Sequence, residues 1–295
     1  VRIAIQGEVG SFSHAAALQM HADFPHAIPD PVEIIPCAVS ADVFDHLTVA
    51  ADVDAAVIPI ENSLAGSILE HYDLLLQHPV RILAEHRQRI RHNLIGLHGA
   101  RVEHIERVFS HPIALAQCRN FLLQHPHILA VPFYDTAGAV KQVVEMKDRH
   151  LAAIASSQAA EVYGAEILTA GIEDNPENYT RFQLLRREAD AKPLPGANRM
   201  SLAFALENRP GTLVAALQLL ANLGVDLTKI ESRPVPGKPW EYVFYVDLTY
   251  PAPAVSAVVD PTVHEAAKVS VADSVIAALT AHCPMVKELG RYKSN

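Results

Sequence analysis

The sequence predicts an α/β region followed by a smaller α+β region. Three observations carry this expectation. Up to about residue 190, short apolar runs alternate with helix-patterned segments, as strands and helices taken in turn would. The run 188–196 breaks that pattern with polar, proline and glycine residues and reads as a linker. Beyond it the order becomes β-α-β-β-α-β, a split βαβ arrangement. We therefore expect an α/β domain over 1–190, a linker over 191–198 and an α+β domain over 199–295.

In the first domain, strands are expected at 2–6, 33–37, 55–59, 82–85, 93–97, 108–110, 128–132, 152–155 and 181–186. Helical periodicity fills the gaps, as at 114–123 and 136–146. The alternation favours a mainly parallel sheet, and this many strands can form two small lobes around a cleft. In the second domain a strand at 200–207 leads to Pro210, expected at a helix start where its missing N–H costs nothing. Leu213, Leu217 and Leu220 make one apolar helix face, and Gly224 supplies the stop. Strands at 226–233 and 241–248, a helix at 271–282 and a strand at 285–292 complete the order. The Ala-, Pro- and Val-rich run 250–269 reads as a long loop or a local insertion.

Composition excludes several classes. The chain has 295 residues, 50% hydrophobic and 19% charged, which suits a soluble globular protein of one large or two medium domains. It has no run of about 18 apolar residues, so no membrane span is expected. The start, Val1-Arg2-Ile3-Ala4-Ile5, reads as a strand and not as a signal peptide. A net charge of −9, with no Lys/Arg run beyond Arg186-Arg187, disfavours a nucleic-acid partner. Cys37, Cys118 and Cys283 lack CxxC spacing, which argues against disulfides and zinc and for a reducing cytoplasm. There are sixteen histidines but no HExxH and no compact His/Asp/Glu cluster, so no metal site is expected. His21, His26, His46, His71, His78, His125 and His127 are expected at the surface.

The chemistry concentrates in a few motifs. In Asn178-Tyr179-Thr180-Arg181-Phe182 a hydroxyl and a guanidinium stand side by side between aromatic residues. Arg can hold a carboxylate through two hydrogen bonds, and Thr offers one O–H donor. Strand alternation leaves a second reading, in which Arg181 points away from Thr180 and is structural. Hydroxyl and amide residues also recur where strands run into helices: Ser11 and Ser13, Asn62-Ser63, Ser110, Asp135-Thr136, and Ser156-Ser157. Such junctions can converge on one crevice, where helix N-termini favour a small anion. Plain helix capping explains the same residues individually. Gln117 is placed to point into the cleft and Cys118 into the core. Glu61 is either an acid/base group or an ordinary acidic residue of a first helical turn. Neither a P-loop, a GxGxxG nor a GxSxG elbow is present.

Four segments resemble the prephenate dehydratase family in order and spacing. They are Ile58-Pro59-Ile60-Glu61-Asn62-Ser63-Leu64-Ala65-Gly66, Ser110-His111-Pro112-Ile113-Ala114-Leu115-Ala116-Gln117-Cys118, Asp135-Thr136-Ala137 and Asn178-Tyr179-Thr180-Arg181-Phe182. The second domain resembles an ACT regulatory domain at Glu207-Asn208-Arg209-Pro210-Gly211-Thr212-Leu213 and Glu231-Ser232-Arg233-Pro234. The resemblance covers nearly the whole chain. It implies a two-lobed, periplasmic-binding-protein-like catalytic domain that turns prephenate into phenylpyruvate without a cofactor. It implies Thr180 as the catalytic residue, and Glu61, Asn62, Ser63, Ser110, Gln117, Thr136, Arg181 and Phe182 around the substrate. It implies L-phenylalanine bound at Gly211, Thr212, Leu213 and Val214 and at Glu231, Ser232, Arg233 and Pro234. Paired ACT domains imply a homodimer or homotetramer. No helical segment like a fused chorismate mutase is present, so a monofunctional enzyme is expected. The rival readings are an arogenate dehydratase and a non-catalytic amino-acid-binding sensor.

Overall fold

Strand β1 (Arg2–Gln6) has Ile3, Ala4 and Ile5 fully buried, as a strand covered on both faces requires. A turn leads to α1 (Phe12–Asp23), capped by Ser11, whose side chain accepts from the His14 N–H at 3.3 Å. β2 (Glu33–Cys37) follows, then α2 (Ser40–Thr48) and β3 (Ala55–Asn62). Both β2 and β3 pair with β1 in parallel. β3 then turns straight back into the antiparallel β4 (Gly66–Ser67) ahead of α3 (Leu69–Gln77) and β5 (Val80–Arg89). Asn62-Ser63 thus sits in a hairpin turn, where a strand-to-helix junction was expected. The computed structural model describes residues 1–192, 194, 196–235, 237–238, 240–250 and 270–293. The expected loop or insertion at 250–269 lies outside them, Tyr250 excepted.

A second sheet begins with β6 (Asn93–Gly96) and β7 (Arg107–Ser110). Helices α4 (Pro112–Gln117) and α5 (Arg119–Gln124) lead to β8 (Leu129–Pro132). Then come α6 (Thr136–Met146), β9 (Leu151–Ala155), α7 (Ser157–Tyr163) and β10 (Glu166–Ala170). The strand order is β10-β6-β9-β7-β8. Alternation along β9 sends Ala152 and Ile154 into one core with Cys118 and Phe121, and Ala153 and Ala155 into another with Val140 and Ala159. Helices therefore cover both faces. β7 pairs in parallel with β8 and β9, but β6 pairs antiparallel with β9 and β10, so this sheet is mixed, where a mainly parallel one was expected. β10 is additional to the expected strands. It is exposed or half-buried throughout, so no strong apolar run marks it.

β11 (Tyr179–Arg187) returns to the first sheet beside β3. The two connecting segments, 90–92 and 171–178, bond to each other: Ile90 N–H donates to the Asn178 carbonyl at 2.8 Å, and Ile172 N–H to the His92 carbonyl at 2.9 Å.

Two further expectations need correction. The helix expected over 114–123 is two helices, because Asp174 accepts from the Arg119 and Asn120 N–H groups at 3.1 and 2.9 Å and starts a new N-terminus there. His71 is fully buried, its ring bonded to the Pro59 carbonyl and to the Ser40 hydroxyl at 2.8 Å. Burial holds its pKa below the ordinary value.

The chain forms two compact units, residues 1–71 with 86–184 and residues 72–85 with 185–295. The second unit contains β12 (Arg199–Ala205), α8 (Thr212–Asn222), β13 (Asp226–Pro234), β14 (Tyr242–Thr249), α9 (Val271–Thr280) and β15 (Met285–Lys293). Strands β13-β14-β12-β15 are antiparallel, and β5 joins β15 in parallel around Ile82. A Cβ on Gly290 would run into the Ile82 carbonyl, so that approach needs glycine. Leu202, Phe204 and Val246 pack with Leu220, Val275 and Leu279 of α8 and α9. The cap of α8 is Gly211 at φ 86°, and Pro210 lies just before it, outside the first turn where it was expected.

Candidate active site

The first unit contains a cavity of about 420 Å³. The N-termini of α1 and α6 reach it through Ser11, Phe12 and Ser13 and through Asp135 and Thr136. Asn62, His92, Gln117, Thr180 and Phe182 complete the part that matters chemically. Among the described residues that line it there is neither Lys nor Arg.

Alternation on β11 sorts the central motif. Thr180 and Phe182 line the cavity, whereas Arg181 between them does not. The Arg181 side chain is 8% exposed, and its guanidinium lies 3.4 Å from the Glu61 carboxylate. Glu61 precedes Asn62 on the adjacent strand, so the same alternation turns Glu61 outward and Asn62 inward. Ser63 also lies off the cavity: its hydroxyl donates to the Glu177 carbonyl and accepts from the Tyr179 N–H, both at 3.0 Å. Ser110 is fully buried and donates to the Ile154 carbonyl at 2.6 Å. Of the expected substrate-lining residues, the fold brings Thr180, Asn62, Gln117, Thr136 and Phe182 together at the cavity. Glu61, Ser63, Ser110 and Arg181 are spent on internal partners.

Asn62 Nδ2 donates to the Thr180 hydroxyl at 2.9 Å. Thr180 has no protein acceptor for its own hydrogen among the described residues. Gln117 joins the group, donating to Asn62 Oδ1 at 3.3 Å and accepting from Asn178 Nδ2 at 2.9 Å. His92 and Asn178 belong to this cluster without having been expected there. His92, set between Arg91 and Asn93, belongs to no recognisable motif, and only the connecting segments bring it in.

Burial shapes the titrations. It holds His14, His92 and His111 below the ordinary imidazole range and pushes Asp135 above the ordinary carboxylate value. Tyr134, which donates to Glu8 at 2.9 Å, is pushed up to about 12 by burial and by that carboxylate. Cys118, fully buried, is pushed upward by desolvation and is no thiolate nucleophile.

The second unit has its own pocket of about 200 Å³. Gly211, Thr212, Leu213 and Val214 line it together with Trp240 and Tyr242. The loop is closed by the Thr212 hydroxyl, which donates to the Glu207 and Arg209 carbonyls at 3.0 and 2.9 Å. Glu231, Ser232, Arg233 and Pro234 lie on β13, at the end of the strand order, and do not line it. Arg233 instead forms a two-pronged pair with Asp73, at 3.1 and 2.5 Å.

Comparison with known proteins gives a consistent result. A family model described as prephenate dehydratase matches residues 3–190, and an ACT domain model matches residues 200–251. The chain is 41% identical over 262 residues to arogenate dehydratase/prephenate dehydratase 2, chloroplastic, of Arabidopsis thaliana, covering 84% of this chain. It spans 65% of the length of that relative. A solved prephenate dehydratase in complex with L-Phe from Arthrobacter aurescens superimposes with a TM-score of 0.81 at 30% identity, over 99% of this chain and 89% of that one. The quorum-quenching acylase GqqA matches with the same TM-score, 0.81, and 30% identity, over 100% of this chain and 98% of its own.

Proposed function

The chain belongs to the prephenate dehydratase family, and from that premise we propose that it converts prephenate to phenylpyruvate under control by L-phenylalanine. The observation that carries the reading is the Thr180 hydroxyl. Its oxygen already accepts from Asn62, so its hydrogen is left for the cavity.

In prephenate the bond from ring to carboxylate breaks and releases carbon dioxide. The electron pair passes through the ring diene and expels the ring hydroxyl. With one proton taken up, the products are phenylpyruvate, carbon dioxide and water. The new aromatic ring accommodates the electrons, so the balance needs no oxidant or reductant. A hydrogen bond from Thr180 to the departing oxygen strengthens as charge grows there, which lowers the barrier. Thr is a weak acid, so solvent supplies the proton itself. A lining without Lys or Arg suits a ring carboxylate that must be lost, since a cation would stabilise it in the ground state. The N-termini of α1 and α6 supply partial positive charge for the side-chain carboxylate. Arg181 and Glu61 hold β11 to β3 and keep Thr180 beside Asn62.

L-phenylalanine is assigned to the pocket at Gly211–Val214 (residues 211–214), with Glu231 to Pro234 contributed across a homodimer or homotetramer. The exposed Ile230 on β13, and Val214 and Trp240 at the pocket, suit burial by a second copy. Three unpaired, buried thiols suit a reducing compartment, the cytoplasm being the simplest. The names of the plant relatives include arogenate dehydratase, so arogenate, with an ammonium where prephenate has a keto group, is the rival substrate.

The deciding assay measures phenylpyruvate from prephenate, with arogenate in parallel and with and without L-phenylalanine. Prephenate turnover that L-phenylalanine changes is expected. Failure on both substrates, with L-phenylalanine still bound, would overturn the enzyme reading in favour of a sensor.

A further inference from the structure

The mechanism above leaves a buried group at the cavity without a role. His92 is 2% exposed, lies on a segment connecting the lobes and packs edge-on to Phe12 at 5.6 Å. Hydrogen-bond directions can be traced to it from two fixed points. The Leu64 and Ala65 N–H groups can only donate, so the Asn62 atom they meet at 3.0 and 2.9 Å is the carbonyl oxygen. The Asn62 nitrogen then faces Asn178 Oδ1 at 2.7 Å and Thr180 Oγ1 at 2.9 Å. Asn178, accepting through oxygen, donates through nitrogen to Gln117 Oε1 at 2.9 Å. Gln117 Oε1 is therefore an acceptor, and His92 Nε2, 2.9 Å away, must carry a hydrogen. Nδ1 is buried and has no hydrogen-bond partner among the described residues. Leaving a lone pair unpaired costs stability, so packing alone does not explain a histidine here.

We propose, building on the dehydratase reading, that His92 is a positioning residue: its Nε2–H anchors Gln117, and through Gln117 and Asn62 it keeps the Thr180 hydrogen directed at the cavity. Gln117 is the cluster member supplied by α4 of the second lobe, and its 3.3 Å bond to Asn62 is the longest of the side-chain bonds that link this cluster. It is the link that most needs anchoring. Burial lowers the His92 pKa and so favours the neutral imidazole, which fits a fixed tautomer.

The test uses the full chain. Nitrogen-15 NMR of histidine-labelled protein at pH 7, with the His92 signal assigned by its loss in His92→Gln, should show the neutral Nε2–H form. An Nδ1–H tautomer or an imidazolium would overturn the proposal. In kinetics, His92→Phe should lower kcat about tenfold with little change in KM, the effect of one lost hydrogen bond of ordinary worth. His92→Gln can place an N–H near the Nε2 position and should recover most of the loss. His92→Asn is too short and should not. Full activity in His92→Phe, or equal activity of the Gln and Asn variants, would overturn it. Where His92→Phe does not fold, the Gln and Asn pair decides. A wild-type protein inactive on prephenate and arogenate sinks the dehydratase reading instead, and the NMR result still judges His92.

Discussion

The cavity of the first unit and the sheet of the second use charge in opposite ways. Around Thr180 the groups are amides, hydroxyls and an imidazole whose neutral form burial favours, and the nearby ions Arg181 and Glu61 pair with each other off the cavity. In the second unit ions are drawn inside. Arg199 Nη1 meets Glu85 at 2.9 Å and Nη2 lies 3.9 Å from Asp247, all three nearly fully buried. Lys287 donates to the Leu75, Leu76 and His78 carbonyls at 2.9, 2.9 and 2.7 Å, at the end of α3. The proposed reaction accounts for the difference. A reaction that sheds a carboxylate needs weak donors aimed in one direction, whereas strong ionic contacts suit holding residues 72–85 within the second unit.

The contrast can be broken at several points. Replacing Arg199 by Met should cost about 3–5 kcal/mol, because Glu85 and Asp247 stay buried without their cation. Chemical denaturation measures it, and unchanged stability would mean the ions hold nothing. Thr180→Val should lower kcat by about 10²–10³-fold, or about 3–4 kcal/mol of barrier, with the melting temperature kept. Thr180→Ser should retain activity, and a fully active Val variant would remove Thr180 from the chemistry. Lys287→Met should cost about 1–2 kcal/mol through the uncapped end of α3, read as a lower urea midpoint.

The mildest test is pH. His14, His71 and His92 all belong to the first unit, and burial lowers each pKa from 6.5. Their contribution to stability is therefore present above the unfolded value and lost as pH falls through the folded ones. Asp135, raised by burial from 3.8, acts in the opposite sense, its contribution fading as pH rises. The melting temperature should fall between pH 7 and pH 5, and a flat profile would mean the histidines do not outweigh Asp135.

Much of the fold was legible because its signals are local. The bounds of β1, β2 and α6 coincide with the expected 2–6, 33–37 and 136–146, where apolar runs or periodicity are strong and, for α6, Asp135 caps the start. The break between α4 and α5 was not legible, because the Asp174 that caps α5 stands 55 positions from Arg119. The hydroxyls of Ser63 and Ser110 look available in sequence, yet each is satisfied by a distant carbonyl. Strand alternation left Arg181 open between two faces until the neighbouring strand supplied Glu61.

The sequence by itself determined the family, since motif residues and their spacing are properties of the chain order. It also determined most elements, since apolar periodicity acts within a few residues. Only the tertiary structure decided which polar groups are free and which way their hydrogens point. Thr180 is an acceptor from a residue 118 positions away, and the polarity of that bond is set by two backbone N–H groups in a hairpin turn. It also decided that residues 72–85 belong with the second unit, because compactness follows burial and pairing and not position along the chain.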